Sequence, residues 1–321
     1  MLHKIKNTQI WGYSLTFIVW LTYVSYSITR NNSETLIKYH LTKAGLIGIM
    51  IGYNIPILII WFVILYAVFG FYNYSISIGE PRESKIFKYI TIALAVFFFN
   101  FFFSDIINIF QSYVTNHYSV LSTQQNAITI IQNYLAVLVS LLAYWYLFKG
   151  ASGIVKSINL KITNNDLTYK IAYPLIAFGV LYVYTIFQNP NRTISHNANI
   201  KATFALPGYL ILLTIVLPYL VAWFFGFSAL YEFIKYQKNT NGLIYKSIFK
   251  KLTIGFSIII VLTVALQLFQ QYDKSLATSH LNTILTVIIL LILLIAVAFL
   301  LIGSGARQLT KIETVTTVKN K

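Results

Sequence analysis

Asp105 is an acidic residue embedded in an apolar run, and Asn108 follows three residues later, on the same face of any helix formed there. Gln267 and Gln270 repeat the arrangement in another apolar run. A carboxylate facing a wet cavity inside a bilayer binds a proton, an amine or a cation, and flanking amides add hydrogen bonds to a polar ligand. Packed against neighbouring helices, the same side chains serve only as interhelical hydrogen bonds. Gln111 and Asp273 continue both patterns outward, and Asn54, Gln132 and Asn133 lie toward the same ends of their own runs. Asp105, Asn108, Gln267, Gln270, Asn54, Gln132 and Asn133 therefore form the candidate ligand-binding set.

Other chemistries find less support. His40, His117, His196 and His280 fall one in each outer segment, and imidazoles bind zinc or sense pH, with His117 and His280 the pair at matching places. No two histidines have the close spacing of a helical metal site, which favours solvated loop residues and no metal. Cysteine is absent, so disulfides, thiolate metal sites and a cysteine nucleophile are excluded. The chain has no H-E-x-x-H, G-x-S-x-G or phosphate-loop motif, and no cofactor is implied. Outer Glu34 is a lone carboxylate of the kind a lipid-linked sugar transferase uses, but a single exposed glutamate is a weak signal. A non-enzymatic protein is the better reading.

Elements able to place these residues must be membrane helices. Of 321 residues, 57% are hydrophobic and 10% charged, against about 25% charged in soluble domains. The apolar residues come in blocks long enough to cross about 30 Å of hydrocarbon. Eight spans are expected: 10–27, 46–70, 89–112, 127–148, 171–188, 207–231, 252–271 and 283–303. The segment 33–43 has a capping serine and helical apolar spacing, and fits either a short interfacial helix or a solvated loop.

The net charge of +16 is split among short segments between apolar blocks, which argues against a nucleic-acid partner and for a topology signal. With the N-terminus inside, eighteen of the twenty-four lysines and arginines are cytoplasmic, so both termini are expected there. The expected partners are the bilayer, anionic lipid at the cytoplasmic face, and a small-molecule ligand.

The spans also repeat. Pro56, Leu58, Trp61, Phe62, Ala67, Phe71 and Tyr74 fall, at an offset of 162, on Pro218, Leu220, Trp223, Phe224, Ala229, Phe233 and Tyr236. The same offset carries Ile86, Phe87, Lys88, Thr91 and Ile92 onto Ile248, Phe249, Lys250, Thr253 and Ile254. One residue further shifted, Thr115 and His117 match Thr278 and His280, and the fourth helices of both halves leave through Gly150–Gly153 and Gly303–Ala306. These matches imply two tandem four-helix units of the same orientation, 1–158 and 171–312, joined by a cytoplasmic linker at 159–170 and followed by a basic tail at 313–321. Pro56 and Pro218 fall mid-helix at matching positions, where each removes a backbone hydrogen bond and is expected to kink its helix.

The stretch ALPGYLILLTIVLPYLVAWFFG from Ala205 to Gly226, followed by Tyr236 and the segment from Gly242 to Lys246, resembles multi-pass membrane proteins of small-genome, host-attached candidate-phylum bacteria. The likeness is strongest over the sixth and seventh spans. Gly208 stands where an acidic residue is expected in such proteins, so no acidic role carries over to it. The resemblance implies an inner-membrane address and no catalytic activity.

Together these readings give an all-α, duplicated eight-helix bundle. It is expected to bind a small or apolar ligand from the outer side, as a transporter or receptor. A membrane scaffold is the alternative. Because Asp105 is the acidic residue placed inside a span, and the inner halves of the spans offer only hydroxyls and aromatics, coupled ion transport is the weaker form.

Overall fold

A backbone surrounded by hydrocarbon must satisfy its own hydrogen bonds, and long apolar runs do so as helices. The computed structural model describes the backbone of residues 2–30, 43–117, 122–157, 176, 179–180, 217–240, 242–272 and 281–319. It describes side chains for 7–22, 24–25, 54–103, 134–157, 176, 179–180, 217–240, 242, 244–264 and 290–313. Among the described residues there are seven long helices and no strand: α1 (Leu2–Arg30), α2 (Lys43–Ser77), α3 (Pro81–His117), α4 (Ser122–Ser157), α5 (Leu217–Asn239), α6 (Leu243–Tyr272) and α7 (Leu281–Lys319). Six carry segments long and apolar enough to cross a membrane: Asn54–Ser77, Pro81–Phe103, Tyr134–Ser157, Leu217–Asn239, Ile244–Val264 and Leu290–Glu313.

The helices overrun the expected spans. The third span was expected from 89, yet α3 starts at Pro81, whose fixed φ and missing N–H suit a first turn. The seventh was expected from 252, and α6 starts at Leu243. Lysines end contact with hydrocarbon without ending a helix, because their long stems let the charge reach water from inside it. For the same reason α7 continues through Lys319, so the expected separate tail from 313 is helical that far. The fifth span, the linker 159–170, the segment 33–42 and the 207–216 part of the sixth span fall outside the described residues, Ile176, Gly179 and Val180 excepted. α2 runs unbroken through Pro56. Pro218 is the second residue of described α5, so its mid-helix place depends on residues outside the description.

The packing is a closed ring. Each of α2 to α7 packs on the next, and α7 returns to α2, while α1 lies outside against α2. Trp20 Nε1 donates to the Asn54 carbonyl at 2.8 Å, and Tyr13 sets its edge against Phe62 and Phe69, both at 5.6 Å. These contacts run α1 antiparallel to α2, which puts the start of α1 at the end of the ring where α2 finishes. The short α2–α3 turn, the Gly150–Ile90 contact and the Gly70–Gly303 contact place the ends of α2, α4 and α7 and the start of α3 together there. With the ends of α5 and the start of α6, this basic end gathers Arg82, Lys85, Lys88, Lys149, Lys156, Lys235, Lys238, Lys246, Lys250, Lys251, Arg307 and Lys311.

Helix faces follow the periodicity of the sequence. On α7, Ala298, Phe299, Ile302, Ala306 and Leu309 are buried, while Leu290, Leu293, Leu294, Val297 and Leu300 form an exposed stripe. Such an apolar face is a liability in water and ordinary against lipid tails. Hydroxyls bond to their own helix, as Thr16 does to the Gly12 carbonyl at 2.9 Å and Thr91 to that of Phe87 at 3.0 Å.

Contacts recur along the chain. Tyr74 meets Phe87 at 4.6 Å between ring centres, and 162 residues later Tyr236 meets Phe249 at 4.1 Å. Trp61 and Trp223 are each buried to within 1%. A Cβ on Gly150 would strike Ile90 at 2.5 Å and approach the Ile86 carbonyl at 3.4 Å. Gly305 stands the same way against Leu252, at 2.9 Å, and the Ile248 carbonyl, at 3.6 Å. The contacts thus pair Gly150 with Gly305, two residues away from the Gly150–Gly303 alignment that the small-residue exits suggest.

Candidate functional site

Of the candidate set, Asn54 is the residue whose side chain is described. It sits in α2, two residues before Pro56, is 3% exposed, and its Oδ1 has no hydrogen-bond partner among the described residues. Asp105 and Asn108 belong to α3, Gln267 and Gln270 to α6, and Gln132 and Asn133 to α4. Their side chains, and those that would settle whether the two polar pairs converge, lie outside the described residues. His117 ends α3, also without a described side chain, and His280 lies outside the description.

Sequence reasoning missed Glu232. Expected just beyond the sixth span, it lies within the apolar segment Leu217–Asn239 and is 4% exposed. It stands one residue beyond the expected span 207–231, on the face of α5 that is buried against the bundle. The signal was present: Ala222, Gly226, Ala229 and Phe233 trace the buried face of α5, and position 232 falls on it. Reading the span up to the first charge hid this.

Among the described residues Glu232 Oε2 has no hydrogen-bond partner, and neither does Ser228 Oγ one turn earlier on the same face. The charges acting on the carboxylate are the ammonium groups of Lys235, on its own helix, and Lys156, on α4. Glu232 therefore belongs to the α4–α5 seam. At the other seam that closes the ring, α2 on α7, the position 162 residues earlier is Gly70. There a Cβ would lie 3.1 Å from the Ala306 Cβ and 3.3 Å from the Gly303 carbonyl oxygen, and Gly303 in turn abuts Tyr66. One seam is sealed by glycines; the other holds a buried carboxylate.

Tyr144 fills the ring between the seams. Its ring meets Phe97 edge-on at 5.2 Å and covers Gly226, and its hydroxyl shares a 2.7 Å hydrogen bond with Thr263 Oγ1 on α6. The basic end carries further order. Lys149 Nζ lies 3.7 Å from the Trp145 ring centre and 5.7 Å from that of Tyr89, and the Arg307 guanidinium sits 4.1 Å from that of Tyr66. These are cation–π contacts that hold cationic heads at the bundle surface. Between α6 and α7 an open groove of about 480 Å³ is lined by Ile244, Ser247, Ile248, Lys251, Gln308, Lys311 and Ile312.

Among the described residues no three His, Cys, Asp or Glu side chains come together as a metal site. What the arrangement offers is a titratable carboxylate at a helix seam, a filled ring centre and a basic rim. Compared with known proteins, the chain matches no family model, no curated protein and no solved structure.

Proposed function

We propose that this chain is a duplicated, transporter-like membrane bundle that binds a small or apolar ligand from the face opposite its basic end. The observation that carries the reading is Glu232, a carboxylate buried at the seam between the halves, one of whose oxygens has no hydrogen-bond partner among the described residues. A buried carboxylate is costly to keep, and at the basic end of the seam it is where a proton or cation can act on the bundle. The charges acting on it are those of Lys235 on its own helix and, less strongly, Lys156 on α4.

Two four-helix units are supported by the recurring Tyr–Phe and glycine contacts and by the ring order, in which the last helix of each unit packs on the second helix of the other. An eighth helix is supported by connectivity. α4 ends at the basic end and α5 starts at the opposite one, so the chain must return between them, and 171–188 is apolar and long enough. The positive-inside rule then puts the basic end and both termini in the cytoplasm of a bacterial cell, with the ligand arriving at the outer residues Asp105, Asn108, Gln267 and Gln270.

A non-catalytic scaffold is the second reading, favoured by Tyr144, which plugs the ring centre with a fully buried side chain. The experiment that separates them is thermal stability of the detergent-purified protein across amines, nucleosides, amino acids, lipids and zinc, with Asp105→Asn and Glu232→Gln in parallel. A ligand that binds the folded state raises its apparent stability. Stabilisation by one class, lost in Asp105→Asn, is the expected result. No stabilisation of the wild type, with both variants unchanged or more stable, overturns the binding reading in favour of the scaffold.

A further inference from the structure

We propose that the groove between α6 and α7 at the basic end is a binding site for an anionic phospholipid, its phosphate held by Lys251 and Lys311 and its acyl chain laid along Ile244, Ile248 and Ile312. This inference is independent of the transport reading, since a scaffold would carry the same site.

Position comes first. The groove is lined by the first turns of the span Ile244–Val264 and the last turns of Leu290–Glu313, the level at which membrane helices meet lipid headgroups. Its chemistry divides the way a phospholipid does. Lys251, Lys311, Ser247 and Gln308 supply the polar donors, and the three isoleucines supply apolar wall. Ile244 is 65% exposed, an apolar residue at the mouth with no protein cover. Lys251 Nζ is held by Gln308 Oε1 at 3.2 Å, which fixes one ammonium across the groove while leaving it other hydrogens to donate.

Charge supports the same occupant. Lys246 and Lys250 lie in the same first turns of α6 as Lys251 and add positive charge at this end. The matching position in the other half carries a different side chain. At the place in α3 that Lys251 holds in α6 stands Tyr89, which packs on Tyr146 at 6.0 Å and lies under Lys149. An aromatic lid closes there what a lysine leaves open here.

The test titrates the purified full-length protein with phosphatidylglycerol, phosphatidylcholine or inorganic phosphate, reading thermal stability and, by native mass spectrometry, retained lipid. Phosphatidylglycerol alone should stabilise and stay bound. Lys251→Gln with Lys311→Gln should weaken its half-saturating concentration roughly 30-fold, at about fivefold per lysine. Lys85→Gln with Lys88→Gln removes the same charge from the same end and should have far less effect. If the lysine variant does not fold, Ile312→Trp fills the groove with the charges intact, and it should abolish lipid retention. Equal response to phosphatidylcholine, equal response to inorganic phosphate, or equal losses in the Lys85/Lys88 control each overturns the site.

Discussion

Tyr144 of α4 and Thr263 of α6 share a hydrogen bond 2.7 Å long across the interior of the ring. Both hydroxyls are thereby satisfied far from water, and Thr263 is bonded in turn to the Ile259 carbonyl of its own helix. The bond ties the two halves together at the point where the aromatic plug fills the centre. Tyr144→Phe keeps the plug and removes the bond. It should cost about 1 kcal/mol, in the range of polar contacts between membrane helices. Tyr144→Ala also empties the centre and should cost about 3 to 5 kcal/mol. Reversible unfolding in mixed micelles measures both, and a Tyr144→Phe, Thr263→Val cycle with no coupling would remove the bond from the account.

Glycine positions give a sharper test of the ring order. Gly150 and Gly305 each stand where a Cβ would press on an isoleucine or leucine of the neighbouring helix, whereas Gly79 has open space around it. Gly150→Val and Gly305→Val should each lower stability by about 1 to 3 kcal/mol, since overpacking forces neighbours off their rotamers. Gly79→Ala should lie within about 0.5 kcal/mol of the wild type. Similar losses at all three positions would show that close helix approach is not what these glycines provide.

How much of this was legible in the sequence depended on which signal a residue sent. The helical membrane class followed from apolar block length, and six of the expected spans coincide with helices that meet the same criterion in the structure. Phe87 and Phe249 announced their equivalence through a fixed offset, and their tyrosine partners keep it in space. Helix ends lie beyond the expected spans because a lysine such as Lys251 bounds the apolar run while its stem allows the helix to continue through it. Glu232 was missed for the same reason. Tyr144 carried no sequence signal as a plug, because one tyrosine among twenty-four looks like any other until its neighbours are known.

Orientation can be tested with the chain's own composition, because it has no cysteine to remove first. Lys238→Cys lies at the basic end and is exposed. Ser279→Cys falls in the segment between α6 and α7, at the opposite end of the sequence alternation. A membrane-impermeant maleimide should label Ser279→Cys in intact cells and Lys238→Cys only after the membrane is opened. The reverse pattern would turn the protein over and place the candidate binding residues on the cytoplasmic side.

The charge at the α4–α5 seam yields the prediction that most directly separates function from architecture. Lys156 is exposed, so water screens its effect on Glu232 to about 1 kcal/mol or less, whereas neutralising the carboxylate itself relieves the burial cost. Lys156→Met should therefore destabilise the wild type by no more than about 1 kcal/mol, because Lys235 acts on the carboxylate more strongly. Glu232→Gln should be as stable as the wild type or more so, and Lys156→Met should cost little when made in the Glu232→Gln background. If Lys156→Met is equally harmful with and without the carboxylate, the two residues are not coupled. If they are coupled and Glu232→Gln also abolishes a ligand response that the wild type has, the charge is retained for function at a cost in stability.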